Sequence, residues 1–179
     1  FKQKTAYEMT RFDGVRGLAE DEETLPNSIK FFYNSAGNVL VNQHSNINRT
    51  IEILKDESLC EFIVSNEQFM TPSARYSDII LPVCTFMETW GMCTNWTYSP
   101  SRLLMPRVIE PLYDLPSDYG VAAMLAERLG IYDEYTEGGR TEEDWYNHFI
   151  DILVSEYGDI YGDRDSFVAR GSMTIPYTD

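Results

Sequence analysis

Four residues in the first half of the chain have the types and spacing that could hold a nucleotide. Gly37 and Asn38 follow one apolar run, and the acidic residue Glu67 follows the next. An acidic residue just past a strand can accept hydrogen bonds from the hydroxyls of a nucleotide sugar. Asp78 precedes a third short run, and its carboxylate could accept two parallel hydrogen bonds from a base with adjacent N–H groups, as guanine has. The chemistry that these residues predict is nucleotide binding.

The elements that would position these residues follow the order strand, turn, helix, strand. Apolar runs at 29–33, 60–64 and 79–81 predict three strands, and a turn at 36–38 leads into a helix-like segment. In such units the ligand lies at the carboxyl ends of parallel strands, where loops open a crevice and helix N-termini direct N–H donors at anions. The sequence therefore predicts an α/β fold that is Rossmann-like, with a mostly parallel sheet flanked by helices.

Two further helices are predicted in the second half. Ser117 is the expected N-cap of the first, and Gly130 stands where it should end. The second should begin at Thr141, whose hydroxyl can cap the helix together with Asp144. The apolar stripe of this second helix, expected to lie in the core, consists of Trp145, Phe149, Ile152 and Leu153.

Three segments have no clear period. Residues 1–28 are expected to be an irregular lead-in, and residues 83–101 a long connection. Residues 158–179 are expected to be a loose tail that leads to a missing domain. The α/β domain itself is placed at 29–157.

Composition limits the function classes. The chain of 179 residues has the length of one domain, and its 43% of apolar residues can fill a sizeable core. Twenty-nine acidic against 14 basic residues give a net charge of −15, which argues against nucleic acid as a partner. With three cysteines and two histidines, none closely spaced, the sequence proposes no metal ligand and no catalytic residue.

The order of several blocks resembles the molybdopterin oxidoreductases of the dimethyl sulfoxide reductase family. The blocks are AGNVLVNQHSNINRT from residue 36, FMTPSARYSDIILP from residue 69 and TFMETWGMCTNWTYSPSR from residue 85. The resemblance covers roughly residues 14–150. It is greatest to the catalytic subunits of anaerobic dimethyl sulfoxide reductases.

In that family a molybdenum atom is held by two molybdopterin guanine dinucleotides, each bound by one of two similar α/β domains. The resemblance implies that this chain is part of one such domain. Gly37 and Asn38 would then approach the cofactor through backbone and amide, and Glu67 and Thr71 would lie at or near the ribose. Asp78 would contact guanine.

The resemblance extends to Gln43 and His44 as cofactor contacts, and other interpretations of these positions stay open. His44 can equally make a surface hydrogen bond beside a helix start at Ser45. Asp78 can cap a short turn, and Thr71 can cap the turn that Pro72 would begin. Both capping roles are compatible with ligand contact.

The resemblance implies a fragment of a larger multidomain enzyme, a molybdenum-dependent anaerobic oxidoreductase. The parent would reduce a sulfoxide or similar oxo-substrate by two-electron oxygen-atom transfer, and this fragment would be inactive alone. The parent would carry an iron–sulfur cluster, and this sequence lacks the N-terminal cysteines that would hold it. Its partners would be other domains of the same chain, an iron–sulfur electron-transfer subunit and a membrane anchor. Localisation stays open, with export to the outer face of the cytoplasmic membrane as one outcome. The alternative is a non-catalytic α/β binding or scaffold module that retains the fold.

Overall fold

The structure is a computed structural model, and the residues it describes are 30–35, 37–42, 46–94 and 101–175. The chain divides into two compact units, 1–83 and 84–179. Each unit contains a three-stranded sheet. The predicted lead-in at 1–28 lies outside the described residues.

The first unit is built on a parallel sheet. Its strands are β1 (Phe31–Ser35), β2 (Phe62–Glu67) and β3 (Ile79–Pro82), hydrogen-bonded in that order. Helix α1 (Ile47–Leu54) connects the first two strands, as a crossover between parallel strands requires. The predicted α/β class and its parallel sheet are confirmed.

Strands β1 and β2 run two or three residues further than their apolar runs, because the polar residues at their ends satisfy one another. Asn34 pairs in register with Ser65, and Ser35 with Asn66. The Asn34 Nδ2 group donates to the Ser65 hydroxyl at 3.3 Å. A polar residue can remain in a buried strand when its hydrogen bonds are supplied.

Helix α1 covers one face of this sheet. The buried cluster consists of Leu40, Val41 and Ile63, and Ile51 and Leu54 of the helix pack against it. The Asn46 side chain caps the helix by accepting from the Arg49 N–H at 3.3 Å, so the cap lies one residue after the predicted Ser45.

The opposite face of the sheet is exposed and largely aromatic. Phe31 and Phe62 are partners in the register, and their rings stack with centroids 5.9 Å apart. Phe31 is 55% exposed, Tyr33 36%, Phe62 38% and Ile79 44%. The described residues therefore leave the outer part of this face uncovered, whereas Val64 on the same face is buried.

The second unit combines an antiparallel sheet with helices. Its strands are β4 (Gly91–Thr94), β5 (Ser101–Met105) and β6 (Ser172–Thr174), hydrogen-bonded in that order. Its helices are α2 (Asp118–Leu129), α3 (Tyr132–Tyr135), α4 (Glu142–Tyr161) and α5 (Arg164–Arg170). No helix in the described part of the chain combines the length and apolar character that a membrane span needs.

Two segments predicted to be irregular contain strands or helices in their described residues. The connection at 83–101 contains β4 and the start of β5, and both strands are too short to show a hydrophobic period. In the predicted tail at 158–179, α4 continues to its end and is followed by α5 and β6. The Asp163 side chain caps α5 by accepting from the Ser166 N–H, and Gly171 ends it at φ +72°. These capping residues are a sequence signal that the prediction missed.

The predicted caps of α2 and α4 are confirmed. The Ser117 hydroxyl accepts from the Gly120 N–H at 3.0 Å, and Gly130 ends α2 at φ +74°. Thr141 and Asp144 form a capping box at the start of α4, in which each side chain accepts from the other residue's backbone N–H.

The predicted core stripe of α4 is wrong by one residue for most of its members. The buried cluster consists of Tyr146, Ile150, Leu153, Phe167 and Met173. Phe149 is 45% exposed and Ile152 38%, whereas Leu153 is buried as predicted. Both stripes have helical spacing, and the packing of α5 and β6 onto the helix selects the one that contains Ile150.

Glu88 is a buried carboxylate that joins two loops of the second unit. It is 5% exposed, and its Oε2 accepts from the Thr85 N–H and hydroxyl, both at 2.7 Å. Its Oε1 accepts from the Leu112 N–H. These hydrogen bonds lower the pKa of Glu88 below its ordinary value, and the one from the Leu112 N–H has the largest effect.

Glu88→Gln should lower the melting temperature of the chain by several degrees at neutral pH, because glutamine has one acceptor oxygen where Glu88 uses two charged ones, and its NH2 group would face a donor. Since the folded pKa of Glu88 is depressed, its stabilisation is present above the ordinary glutamate pKa of about 4.3 and is lost as pH falls through the folded value. Melting curves of both proteins from pH 7 downward should therefore converge in acid. A constant difference at every pH would contradict the charged-acceptor role.

Ile150→Ala should reduce the free energy of unfolding by about 2–5 kcal/mol, because the side chain is fully buried and its removal leaves a cavity. Ile160→Ala on the same helix is the matched control. Ile160 is 59% exposed, so its truncation should change stability by less than about 0.5 kcal/mol. Urea unfolding followed by tryptophan fluorescence measures both. Equal losses would contradict the assignment of the buried face.

Candidate cofactor site

Gly37 and Glu67 lie together at the carboxyl edge of the parallel sheet. Gly37 follows the end of β1 by two residues, and Glu67 is the last residue of β2. Both are half-buried, and the Glu67 carboxylate has no hydrogen bond or ion pair to the described residues. A Cβ atom on Gly37 would lie 3.2 Å from Cγ1 of Val39, so the turn is tight there. The edge thus offers a close backbone turn beside an available carboxylate.

Asn38 and Thr71 use their side-chain oxygens within the protein. The Asn38 Oδ1 accepts from the Ser73 N–H at 3.0 Å and from the Ser73 hydroxyl at 2.7 Å. The Ser73 hydroxyl also accepts from the Val41 N–H at 3.2 Å. The Thr71 hydroxyl accepts from the Ala74 N–H at 3.1 Å, which is the capping role that the sequence left open. These bonds fix the turn at 37–42 against the turn that leads to β3.

Asp78 and Glu67 lie at opposite ends of the strands, Asp78 at the amino end and Glu67 at the carboxyl end. It directly precedes β3, and its backbone N–H donates to the Ile63 carbonyl at 2.8 Å. Ile63 and Glu67 are separated by four steps of β2, which is about 13 Å along the strand direction. A ligand that contacts both carboxylates must therefore be extended along the sheet.

The Asp78 carboxylate is exposed and only partly occupied. Its Oδ2 accepts from the Ile63 N–H at 2.7 Å. Within the part of the chain that the structure describes, its Oδ1 has no hydrogen-bond partner. One oxygen therefore anchors the side chain, and the other remains available to a ligand with N–H donors.

The sequence interpretation missed four buried polar residues beneath this site: Asn34, Ser65, Asn66 and Ser73, each at most 3% exposed. The Asn66 Oδ1 accepts from the Tyr33 hydroxyl at 2.8 Å. A signal was present in the sequence, since polar residues end both apolar runs. Their burial depends on strand pairing, which the runs alone do not give.

Two of the predicted site residues, Gln43 and His44, lie outside the described residues. Among the others, the hydrogen bonds between Ser73 and Asn38 hold the turn of Gly37 and Asn38 against the segment that begins at Thr71, and Asp78 lies apart from them. The available groups are carboxylate oxygens and backbone N–H groups. This set suits a ligand that carries both hydrogen-bond donors and acceptors, as a dinucleotide does.

The second unit contains a separate cavity of about 450 Å³. Most of its wall is aromatic, and its lining includes Trp90, Tyr119, Tyr135, Trp145 and Phe149. Trp145 and Phe149 were expected in the core, and they line this cavity instead. Two hydrogen bonds link residues of the wall: the Trp145 indole N–H donates to the Tyr119 hydroxyl at 3.3 Å, and that hydroxyl donates to the Arg140 carbonyl at 2.6 Å.

Comparison with known proteins places the chain in a family. The family model described as molybdopterin oxidoreductase matches residues 4–128. The dimethyl sulfoxide reductase DmsA of Escherichia coli (strain K12) is 44% identical over 147 residues, covering 79% of this chain and 17% of that protein. The dimethyl sulfoxide/trimethylamine N-oxide reductase of Rhodobacter capsulatus is 36% identical over 173 residues, covering 94% of this chain and 19% of that protein.

A solved structure agrees with these relatives. Acetylene hydratase from Pelobacter acetylenicus matches with a TM-score of 0.55 and 27% identity, over 68% of this chain and 16% of that chain. The chain thus spans less than a fifth of the length of the proteins it matches. The match of the family model to more than half of the chain, together with these identities, shows that the chain belongs to the molybdopterin oxidoreductase family.

Proposed function

We propose that the parallel sheet of the first unit binds a molybdopterin guanine dinucleotide in the catalytic subunit of a molybdenum oxidoreductase. The observation that carries the proposal is the Asp78 carboxylate, which keeps one oxygen available within the region that the family model matches. A carboxylate with a free oxygen suits the adjacent N–H groups of guanine.

Each residue has a separate role in the proposal. Gly37 permits close approach of the cofactor to the turn after β1, and Asn38 contributes groups other than its occupied Oδ1. Glu67 accepts hydrogen bonds from the ribose hydroxyls, with Thr71 near the same sugar. A guanine at Asp78 and a ribose at Glu67 belong to one nucleoside, which would then lie along the strands.

A positive charge near the phosphates would support this assignment, and Arg75 is a candidate. It lies in the single 3₁₀ turn between Thr71 and Asp78, and its side chain is exposed. The described residues offer its guanidinium no hydrogen bond or ion pair. Arginine is well suited to phosphate because its planar group can donate two parallel hydrogen bonds. We therefore include Arg75 among the groups that would hold the pyrophosphate.

The cofactor would supply two-electron oxygen-atom transfer when bound, and the protein would bind and orient it. The relatives named above are reductases of dimethyl sulfoxide or trimethylamine N-oxide, so we propose that the parent reduces a sulfoxide or similar oxo-substrate. An iron–sulfur cluster in the parent, an electron-transfer subunit and a membrane anchor belong to the same proposal.

The full-length protein, purified without oxygen, should contain molybdenum, and acid treatment should release guanine nucleotide. Elemental analysis and mass spectrometry measure the two together. A well-folded preparation with neither would overturn the proposal and favour the scaffold alternative. Molybdenum accompanied by a pterin without guanine would retain the metal and reject the role of Asp78.

Asp78→Asn should speed the loss of guanine nucleotide from the full-length protein roughly tenfold to a hundredfold, because a charged acceptor is replaced. The asparagine can still accept from the Ile63 N–H, so the fold should persist. Asp151→Asn is the matched control, since Asp151 is exposed and its ion pair with Arg164 lies in the second unit. Nucleotide retained after gel filtration measures the effect. Equal retention in both variants would remove Asp78 from the site.

A further inference from the structure

We infer that Asn34, Ser65 and Ser77 form a hydrogen-bonded chain that positions both ends of the proposed cofactor site together. This polar chain runs beneath the site from the Gly37 turn to the residue before Asp78. None of its three members is a predicted cofactor contact. The inference rests on the proposed function and assigns these residues a positioning role within it.

The contacts of the polar chain are continuous. The Asn34 Nδ2 group donates to the Gly37 carbonyl at 2.9 Å and to the Ser65 hydroxyl at 3.3 Å. The Ser65 and Ser77 hydroxyls are hydrogen-bonded at 2.6 Å. One amide group and two hydroxyls therefore connect the turn after β1, the middle of β2 and the start of β3.

The polar chain occupies a place where apolar residues would satisfy the fold. One step earlier on the same face, the paired positions of β1 and β2 hold Phe32 and Ile63, which belong to the core beneath α1. Asn34 is 3% exposed and Ser65 is fully buried. Replacing both partners of a buried hydrogen bond by apolar groups of the same shape can be nearly neutral or stabilising, so the fold alone does not require a polar pair here. We attribute the polar pair to the two groups that it holds in place, the Gly37 carbonyl and the Ser77 hydroxyl.

At the first end, the polar chain orients a backbone donor. The Gly37 carbonyl points toward Asn34, and in a trans peptide the N–H of the next residue points the opposite way. The Asn38 N–H therefore points away from the polar chain. Within the described residues no backbone acceptor receives it. It is available to an oxygen atom of a ligand at the carboxyl edge.

At the second end, the polar chain fixes the residue that precedes Asp78. The Ser77 N–H donates to the Ala74 carbonyl at 3.0 Å, while its hydroxyl meets Ser65. Asp78 then makes two hydrogen bonds to the Ile63 backbone. Its own N–H donates to the Ile63 carbonyl, and its Oδ2 accepts from the Ile63 N–H. The direction of the available Oδ1 follows from these constraints.

The test compares Ser77→Val with Ser77→Thr in the full-length protein. The two replacements have nearly the same shape, and both suit the extended backbone of Ser77, but only threonine keeps a hydroxyl. Ser77→Val should lose guanine nucleotide several-fold faster than wild type, and Ser77→Thr should retain it. Nucleotide remaining after timed gel filtration is the measurement.

Two further variants separate positioning from stability. Ile53→Val removes one methylene from the buried core of the same unit and does not touch the polar chain. It should retain nucleotide even where its melting temperature falls as far as that of Ser77→Val. In an Asp78→Asn background, Ser77→Val should add little to nucleotide loss, because residues that act through one another give non-additive effects.

The remaining outcomes overturn the inference. Equal nucleotide loss in Ser77→Val and Ser77→Thr would show that the hydroxyl has no positioning role, while the proposed function would stand. Equal loss in Ser77→Val and Ile53→Val would reduce the polar chain to a contribution to stability. A wild-type protein with no guanine nucleotide would reject the proposed function itself, and this inference with it.

Discussion

The parallel register of β1 and β2 is the constraint on which the first unit depends. It sets Asn34 beside Ser65 and Ser35 beside Asn66, so the polar ends of both strands meet within one layer. Because β3 is parallel to β2, Gly37 and Glu67 lie at the carboxyl ends of the strands, whereas Asp78 lies at the amino end of β3. A shift of β1 by one residue would move Asn34 to the opposite face, away from the Ser65 hydroxyl and the Gly37 carbonyl.

The first half of the fold could be predicted because its signals are local. Three apolar runs bounded by polar residues and a glycine turn gave the strands and their parallel arrangement. The strand ends could not be predicted, because the burial of Asn34, Ser65 and Asn66 depends on neighbours more than 30 positions away. The antiparallel sheet was missed for a related reason, since β4 has four residues and β6 has three.

The candidate site was predictable by residue type and less so by geometry. Gly37 and Glu67 lie at one edge, as their positions after strands predicted. The sequence did not show that the Asn38 and Thr71 oxygens are already used by backbone and serine donors. It also did not show that Asp78 stands about 13 Å from Glu67 along the strands. On α4, helical spacing fits two adjacent stripes equally well, and only packing distinguishes Tyr146 and Ile150 from Trp145 and Phe149.

The aromatic face of the parallel sheet has a practical consequence for anyone who wishes to handle this region apart from its parent. Parallel sheets are normally covered on both sides, and here Phe31, Tyr33, Phe62 and Ile79 stand exposed. A contiguous apolar surface of this kind promotes self-association in solution. Polar replacements at Phe31 and Phe62 would reduce this self-association, and both residues begin their strands, away from Gly37 and Glu67 at the other end.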